Sequence, residues 1–277
     1  MILYTSSPHG VPIIPSYQSW SDLISVSRQQ PFLKLHPAAL VRKIVDSCTP
    51  FLHLPLYTLC DGAGGTPVGL ITPSKLLAII ESTNHTDISN YLYISHPFRQ
   101  HYCDLGRQLL SSLYDLSYSH SSDPDDYMLF HYLMGGRFSF THAHNHDTAT
   151  AILLDGLKEW WICPPHSSNS HLIQPAFMSR VRYLYTNPTS SFYDWLDANT
   201  ELVTPIESLS VLAQPPGSSL YLPDKWYHAV INHQLSSSIT LAWPYPVSNN
   251  LDSSSTQSDS VSSDQLQTPS KPALQSV

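Results

Sequence analysis

The rhythm of apolar positions changes near residue 127. Upstream, "TPSKLLAIIEST" (72–83) opens with Thr-Pro and carries apolar residues at helical spacing, which predicts a helix. "RQQPFLKLHP" encloses a short apolar strand between prolines, and "HPFRQHYCDLGRQLLSSLYDL" (96–116) reads as a second helical region closed by "SSDPDD". Downstream, "YMLFHYLM", "TATAILLDG", "KEWWICPP", "RVRYLYT", "SSLYLP", "YHAVIN" and "SSSITLAWPY" are short and rich in β-branched and aromatic residues. Gly, Pro and Asn turns separate them, so each is predicted to be a strand. Many short strands at close intervals point to a sandwich or barrel, with the double-sheet jelly roll the first choice.

Three parts follow from this pattern: a mixed, partly helical segment 1–126, a β-rich core 127–246 and a tail 247–277. The tail is Ser-, Asp- and Gln-rich without an aromatic residue. It offers too little apolar surface to offset chain entropy, so disorder is expected.

Composition narrows the class. The 277 residues are 42% hydrophobic and only 12% charged, with a net charge of -8 and no Lys/Arg cluster. A core is therefore affordable, and a broad basic face for nucleic acid is not indicated, although a small nucleic-acid pocket is not excluded. Cys48, Cys60, Cys103 and Cys163 show no C-x-x-C spacing and read as reduced thiols. "MILYTSSPHGVPIIP" has no basic segment and is broken by prolines, so no signal peptide is expected. No apolar run reaches the roughly 20 residues needed to span a bilayer. The expected compartment is cytoplasmic or nuclear, with no membrane partner.

The candidate chemistry lies in two clusters. In "GGRFSFTHAHNHDTATAILLDGLKEWW" (135–161), Gly136 is followed by five residues and then His142-Ala143-His144, with Gly156 beyond. In "PGSSLYLPDKWYHAVIN", Gly217 is followed by five residues, Pro223, two more, Trp226-Tyr227-His228 and finally Asn232. On a regular strand His142 and His144 point to one face. A neighbouring strand would bring His228 to the same place, and neutral imidazoles suit Fe, Zn, Cu or Ni. Fifteen histidines make chance spacings common, so "HAHNH" alone is equally readable as a surface tract. His131, His166, His171 and His233 are expected at the surface or in caps.

The paired spacings resemble the two motifs of the cupin superfamily. The second motif is matched except for Lys225 in place of a glycine, and Thr148 or Ala149 stands where the first motif has an acidic residue. Within cupins the chain resembles the Jumonji C (JmjC) oxygenases. "GLKEWWICPP" is similar to that family's G-x-K-R-[strand]-[FY]-P-P, and "QPPGSSLYLPDKWYHAVIN" to its Q-x-P-G-[DE]-x-[LV]-[FY]-[IV]-P-x-x-W-W-H-x-V. The likeness spans about residues 12 to 246, is strong only from 127 on, and is nearest to the small JmjC hydroxylases of the arginine demethylase and lysyl hydroxylase group.

The resemblance implies a mainly β double-stranded β-helix (jelly roll) with flanking helices and a helical N-terminal part. It implies Fe(II) held by His142, His144 and His228, and 2-oxoglutarate as co-substrate. Lys158 and Thr240 match the groups that bind the distal carboxylate of 2-oxoglutarate, with Ser139, Thr150 and Asn232 as further candidate contacts. Lys158 on a strand needs a counter-ion if it is buried, and the alternative is that it faces solvent. The family's H-x-[DE]…H carboxylate is replaced by His144. Two other arrangements stay open: Asp147 completes the site through a strand bulge, or His144 and His146 form the H-x-H pair. His142 with His144 is preferred because the spacing to Gly136 and Gly156 then holds.

The implied activity is hydroxylation or demethylation of a protein side chain, with nucleic acid as a second substrate class. Many relatives dimerise through helices flanking the jelly roll. The competing expectations are a three-histidine cupin dioxygenase or isomerase that does not use 2-oxoglutarate, and a degenerate JmjC fold kept as a binding module.

Overall fold

After its first two residues "KEWWIC" is apolar on both of its faces, as befits a strand covered on both sides. The computed structural model describes residues 13–14, 30–48, 57–60, 67–82, 93–98 and 129–242. It has strands β1 (Ile13–Ile14), β2 (Phe32–Leu35), β3 (Tyr57–Cys60), β4 (Pro67–Ile71), β5 (Tyr93–Phe98), β6 (Leu129–Gly135) and β7 (Phe140–His144). There follow β8 (Ala149–Asp155), β9 (Lys158–Cys163), β10 (Ser210–Gln214), β11 (Ser218–Leu222), β12 (Tyr227–Asn232) and β13 (Ser236–Ala242). The helices are α1 (Ala38–Cys48), α2 (Pro73–Ser82), α3 (Ile173–Thr186), α4 (Phe192–Ala198) and α5 (Thr200–Val203). None of the described helices is long and apolar enough to cross a membrane.

The strands form two sheets, ordered β1-β2-β11-β8-β13-β6-β5-β3-β4 and β10-β9-β12-β7. Apart from the parallel β1–β2 pair, the ladders are antiparallel. The protein is mainly β with flanking helices. From β6 onward the chain crosses between the sheets at every step except β9 to β10, which are neighbours in the smaller sheet, and Leu33, Ala151 and Leu220 of the larger sheet share a core with Trp160, Ile162, Leu212 and Val230 of the smaller one. The far face of the smaller sheet carries Phe140, Trp161, Val211, Ala229 and Ile231 against Phe177, Val181 and Leu184 of α3 and Trp195 of α4. Each face of β9 thus has its own apolar partner, and this explains its unbroken burial.

Alternation on β9 sends Lys158 between the sheets and Glu159 toward α3. Glu159 is ion-paired with the buried Arg180 of α3 at 3.2 Å and hydrogen-bonded to His233 Nε2 at 2.9 Å, and Trp161 Nε1 donates to it at 2.9 Å. Burial alone would raise the Glu159 carboxyl, but His233 and Arg180 outweigh it and hold the group at about 2. His233, expected at the surface, is instead part of this tether between helix and sheet.

The expected strand "RVRYLYT" is the end of α3. Val181, Tyr183 and Tyr185 imitate a strand's alternation. The buried positions Ile173, Ala176, Phe177, Arg180, Val181 and Leu184 keep the three- and four-residue spacing of a helix face. Pro175 sits in its first turn, where no amide is needed. The region 96–116 begins as strand, since β5 runs to Phe98; the rest of it and the tail from 247 lie outside the described residues. The helix over 72–83 and the strand in "RQQPFLKLHP" are present as α2 and β2.

Gly156 turns β8 into β9 with φ +89°, and a Cβ there would lie 2.5 Å from the Leu235 carbonyl oxygen. Positive φ and backbone contact together exclude a side chain. Gly156→Ala is expected to cost about 2 kcal/mol or more, read as a lower urea midpoint at unchanged slope. An unchanged midpoint would show that the turn relaxes freely.

Candidate metal centre

The strand carrying the first two histidines is not regular. In the β7–β12 ladder, Phe140 faces Ile231 and Thr141 faces Val230, yet His144 faces His228. Three residue steps on β7 therefore oppose two on β12, which is a β-bulge. Cross-strand partners share a face, so Thr141 and His144 both point between the sheets with Val230 and His228. Without the bulge His144 would have turned to the helix side.

The bulge leaves His142 on that helix side. Its ring packs edge-on against Phe140 at 5.1 Å, and its Nδ1 accepts from Gln174 Nε2 of α3 at 2.5 Å. The Gln174 amide is oriented by its other end, where Oε1 accepts from the Ala143 N–H at 2.7 Å. With Nδ1 an acceptor, the neutral ring carries its proton on Nε2 and has no free lone pair. The expected convergence of His142, His144 and His228 is therefore corrected: the rings that meet are His144, His146 and His228.

Ligand-capable atoms of these three lie within 4.8 Å of one another. Ring centroids are 4.2 Å apart for His144–His228, 4.7 Å for His146–His228 and 5.5 Å for His144–His146. Each Nδ1 sits against a main-chain carbonyl: His144 on His142 at 2.7 Å, His146 on Asp147 at 2.6 Å, and His228 on Trp226 at 3.0 Å. A carbonyl only accepts, so each Nδ1 must carry the proton and each Nε2 keeps its lone pair. This is the arrangement that orients metal-binding imidazoles.

His228 is buried and only 3% exposed; the other two are half-buried. Burial lowers the His144 pKa, and burial followed by the charges of His144 and His146 pushes His228 well below its ordinary value. Trp160, whose ring centre is 5.8 Å from that of His228, forms part of the wall, its Nε1 donating to Gln214 at 2.8 Å. Asp147 does not complete the cluster: its carboxylate meets Lys225 Nζ at 2.6 Å. Three neutral nitrogen donors fit a divalent transition ion, while the carboxylate of a two-histidine facial triad is missing from the group.

Lys158 is 7% exposed and points between the sheets, as a co-substrate anchor would. It donates to Ser238 Oγ at 2.7 Å and has no carboxylate partner among the described residues, and burial lowers its ammonium to about 8. Thr240, two residues on, pairs with the core residue Ala151 and so shares the inner face. The sequence hid Ser238 within a run of three serines.

Lys158, Asn232, Thr141, Val230 and Leu133 line a small open cavity of about 30 Å³. It ends one cross-strand pair short of His144 and His228. Asn232 borders it with its amide already engaged, donating to Ser139 Oγ at 2.7 Å and accepting from Ser236 at 2.6 Å. Ser139 also donates to the Gly136 carbonyl. The pair braces β12 to the turn before β7. Thr150 opposes Tyr221, which stacks on Phe32, and so lies on the face away from Lys158.

The lowered imidazole values set a pH dependence. Folded His228 stays neutral where an unfolded imidazole takes a proton, so below about pH 6.5 the unfolded chain binds more protons and stability falls as pH falls. Metal-free protein is expected to show a lower urea midpoint at pH 5.5 than at pH 7.5, with the difference reduced in His228→Gln. Equal differences in both proteins would show that His228 does not stay neutral through burial.

Compared with known proteins, no family model matches the chain and no curated protein matches it in sequence.

Proposed function

We propose that the chain is a metal-dependent oxygenase of the JmjC type, with His144, His146 and His228 holding Fe(II) and Lys158 anchoring 2-oxoglutarate. The observation that carries this reading is a pairing: three imidazoles whose ligand atoms lie within 4.8 Å of one another, and a buried ammonium with no carboxylate partner among the described residues on the same inner surface. Ile162 stands opposite His228, and Lys158 lies four residues back along β9, roughly 13 Å. With the lysine stem included, a small extended dianion bridges a separation of that order. The eight strands β6–β13 are read as a jelly roll. Support comes from the orders β11-β8-β13-β6 and β10-β9-β12-β7, with the chain crossing between facing sheets at every step except β9 to β10.

When bound, iron would supply the one-electron chemistry that oxygen activation requires. The chain's own residues do the rest. The three carbonyl-tied imidazoles are held in orientation, and burial favours the neutral form of His144 and His228. Lys158, with Ser238 and Thr240 beside it, offers positive charge and hydroxyls to a distal carboxylate. Trp160 and Val230 keep the inner wall apolar, which strengthens each of these interactions. A protein side chain is the proposed substrate class, with nucleic acid second; Fe(II) in particular, and the choice of 2-oxoglutarate, rest on the motif resemblance.

One observation favours a second reading. With Asp147 paired to Lys225, the ligand set carries no negative charge, as in a three-histidine dioxygenase that does not use 2-oxoglutarate. Titration of the purified protein with Fe(II) and 2-oxoglutarate, followed by succinate, separates the two. The first reading expects both to bind and succinate to form. It further expects His228→Ala to abolish metal binding and Lys158→Ala to weaken 2-oxoglutarate at least about tenfold. His146→Asp, which rebuilds H-x-D, is expected to retain metal and keep or raise turnover. Iron binding without 2-oxoglutarate affinity supports the second reading, and loss of both leaves a binding module.

A further inference from the structure

His146 lies beyond the end of β7, where no ladder holds it. A metal ligand on such a loop has entropy to lose, and something must restrict it. Among the described residues two hydrogen bonds reach across to this loop from the turn before β12, and both come from Lys225. Its main-chain N–H donates to the His146 carbonyl at 2.9 Å, and its ammonium donates to Asp147 Oδ1 at 2.6 Å. Asp147 is also the residue whose carbonyl accepts the His146 ring proton. The ammonium therefore grips the residue that orients the imidazole.

Lys225 holds φ +61°, a conformation that favours glycine, and glycine is the residue the cupin motif has there. A lysine in this place bears a backbone cost that glycine would not. Its side chain is 54% exposed and that of Asp147 50%, so the pair adds little to global stability. A second contact, to Asp224 at 3.4 Å within the same turn, ties the ammonium to its own side of the gap.

We propose that Lys225 is a positioning residue for the metal centre: its ammonium, gripping Asp147, holds the loop so that the His146 ring faces His144 and His228. The proposal rests on the three histidines binding a metal, but not on the identity of the co-substrate. The hydrogen-bond path runs from Nζ to the Asp147 carboxylate, from the Asp147 carbonyl to His146 Nδ1, and so to the Nε2 lone pair.

Lys225→Gly isolates the effect, because glycine accepts the positive φ and keeps the main-chain N–H while deleting the ammonium. Full-length protein is titrated with Co(II), read by its visible absorption, and ring mobility of His146 is followed by nitrogen relaxation in the metal-free state. The variant is expected to melt no lower than the parent, to show a more mobile His146 ring, and to bind Co(II) about three- to fivefold more weakly with altered absorption. Lys225→Arg is expected to restore both readouts. An unchanged His146 ring in Lys225→Gly overturns the positioning role. A parent protein that binds no Co(II) overturns the metal reading instead, and the relaxation comparison still decides whether Lys225 orders the ring.

Discussion

The bulge in β7 is the constraint from which the site follows. One extra residue between Thr141 and His144 changes the face on which every later side chain of the strand lies. It brings His144 opposite His228 and leaves His142 against α3, where Gln174 takes it up. Bulges in antiparallel pairs cost a ladder hydrogen bond and add twist, and they recur where a side chain must be re-aimed. Here the re-aimed side chain is an imidazole, and its new neighbours are the two others.

Polar groups elsewhere are placed so that this geometry is held without competing for the ligands. Glu159, Arg180 and His233 saturate one another and fasten α3 to the outer face of β9. Asn232, Ser139 and Ser236 brace the far end of the sandwich. Gln214 meets Trp160 on one side and the carbonyls of Ala151 and Ser218 on the other, so the indole beside His228 has a fixed orientation. Buried polar groups that find all their partners act as rigid spacers. Lys158 differs: among the described residues it meets one neutral hydroxyl and no carboxylate, and the anchoring role proposed for it rests on that imbalance.

The same accounting gives the carboxylate question a physical form. Asp147 is next to a ligand in sequence but outside the ligand group, because an ammonium holds it at 2.6 Å. A site of three imidazole donors would leave the full charge on an ion bound there, so an anion entering it would be held more strongly than beside a carboxylate. Lys225 thus bears on the centre twice: it fixes the loop of one ligand and keeps a competing ligand occupied.

Much of the fold was legible in the chain itself. Alternation and β-branched content marked β6, β8, β9, β11, β12 and β13, and the spacing of glycines and histidines pointed to the strands of the site. Lys158 and His228 stood out through their places in the two spacings that resemble the cupin and JmjC motifs. What local pattern misled about was α3, where tyrosines at alternate positions imitated a strand while a helical face was being buried against the sheet. The choice among His142, His144 and His146 lay beyond any reading of spacing. Period-two alternation assumes a regular ladder, and whether a strand bulges is decided by the partner strand and by the helix packed over it. Residue types and their order determined that imidazoles would gather; the register between β7 and β12, a property of two segments more than eighty residues apart, decided which ones.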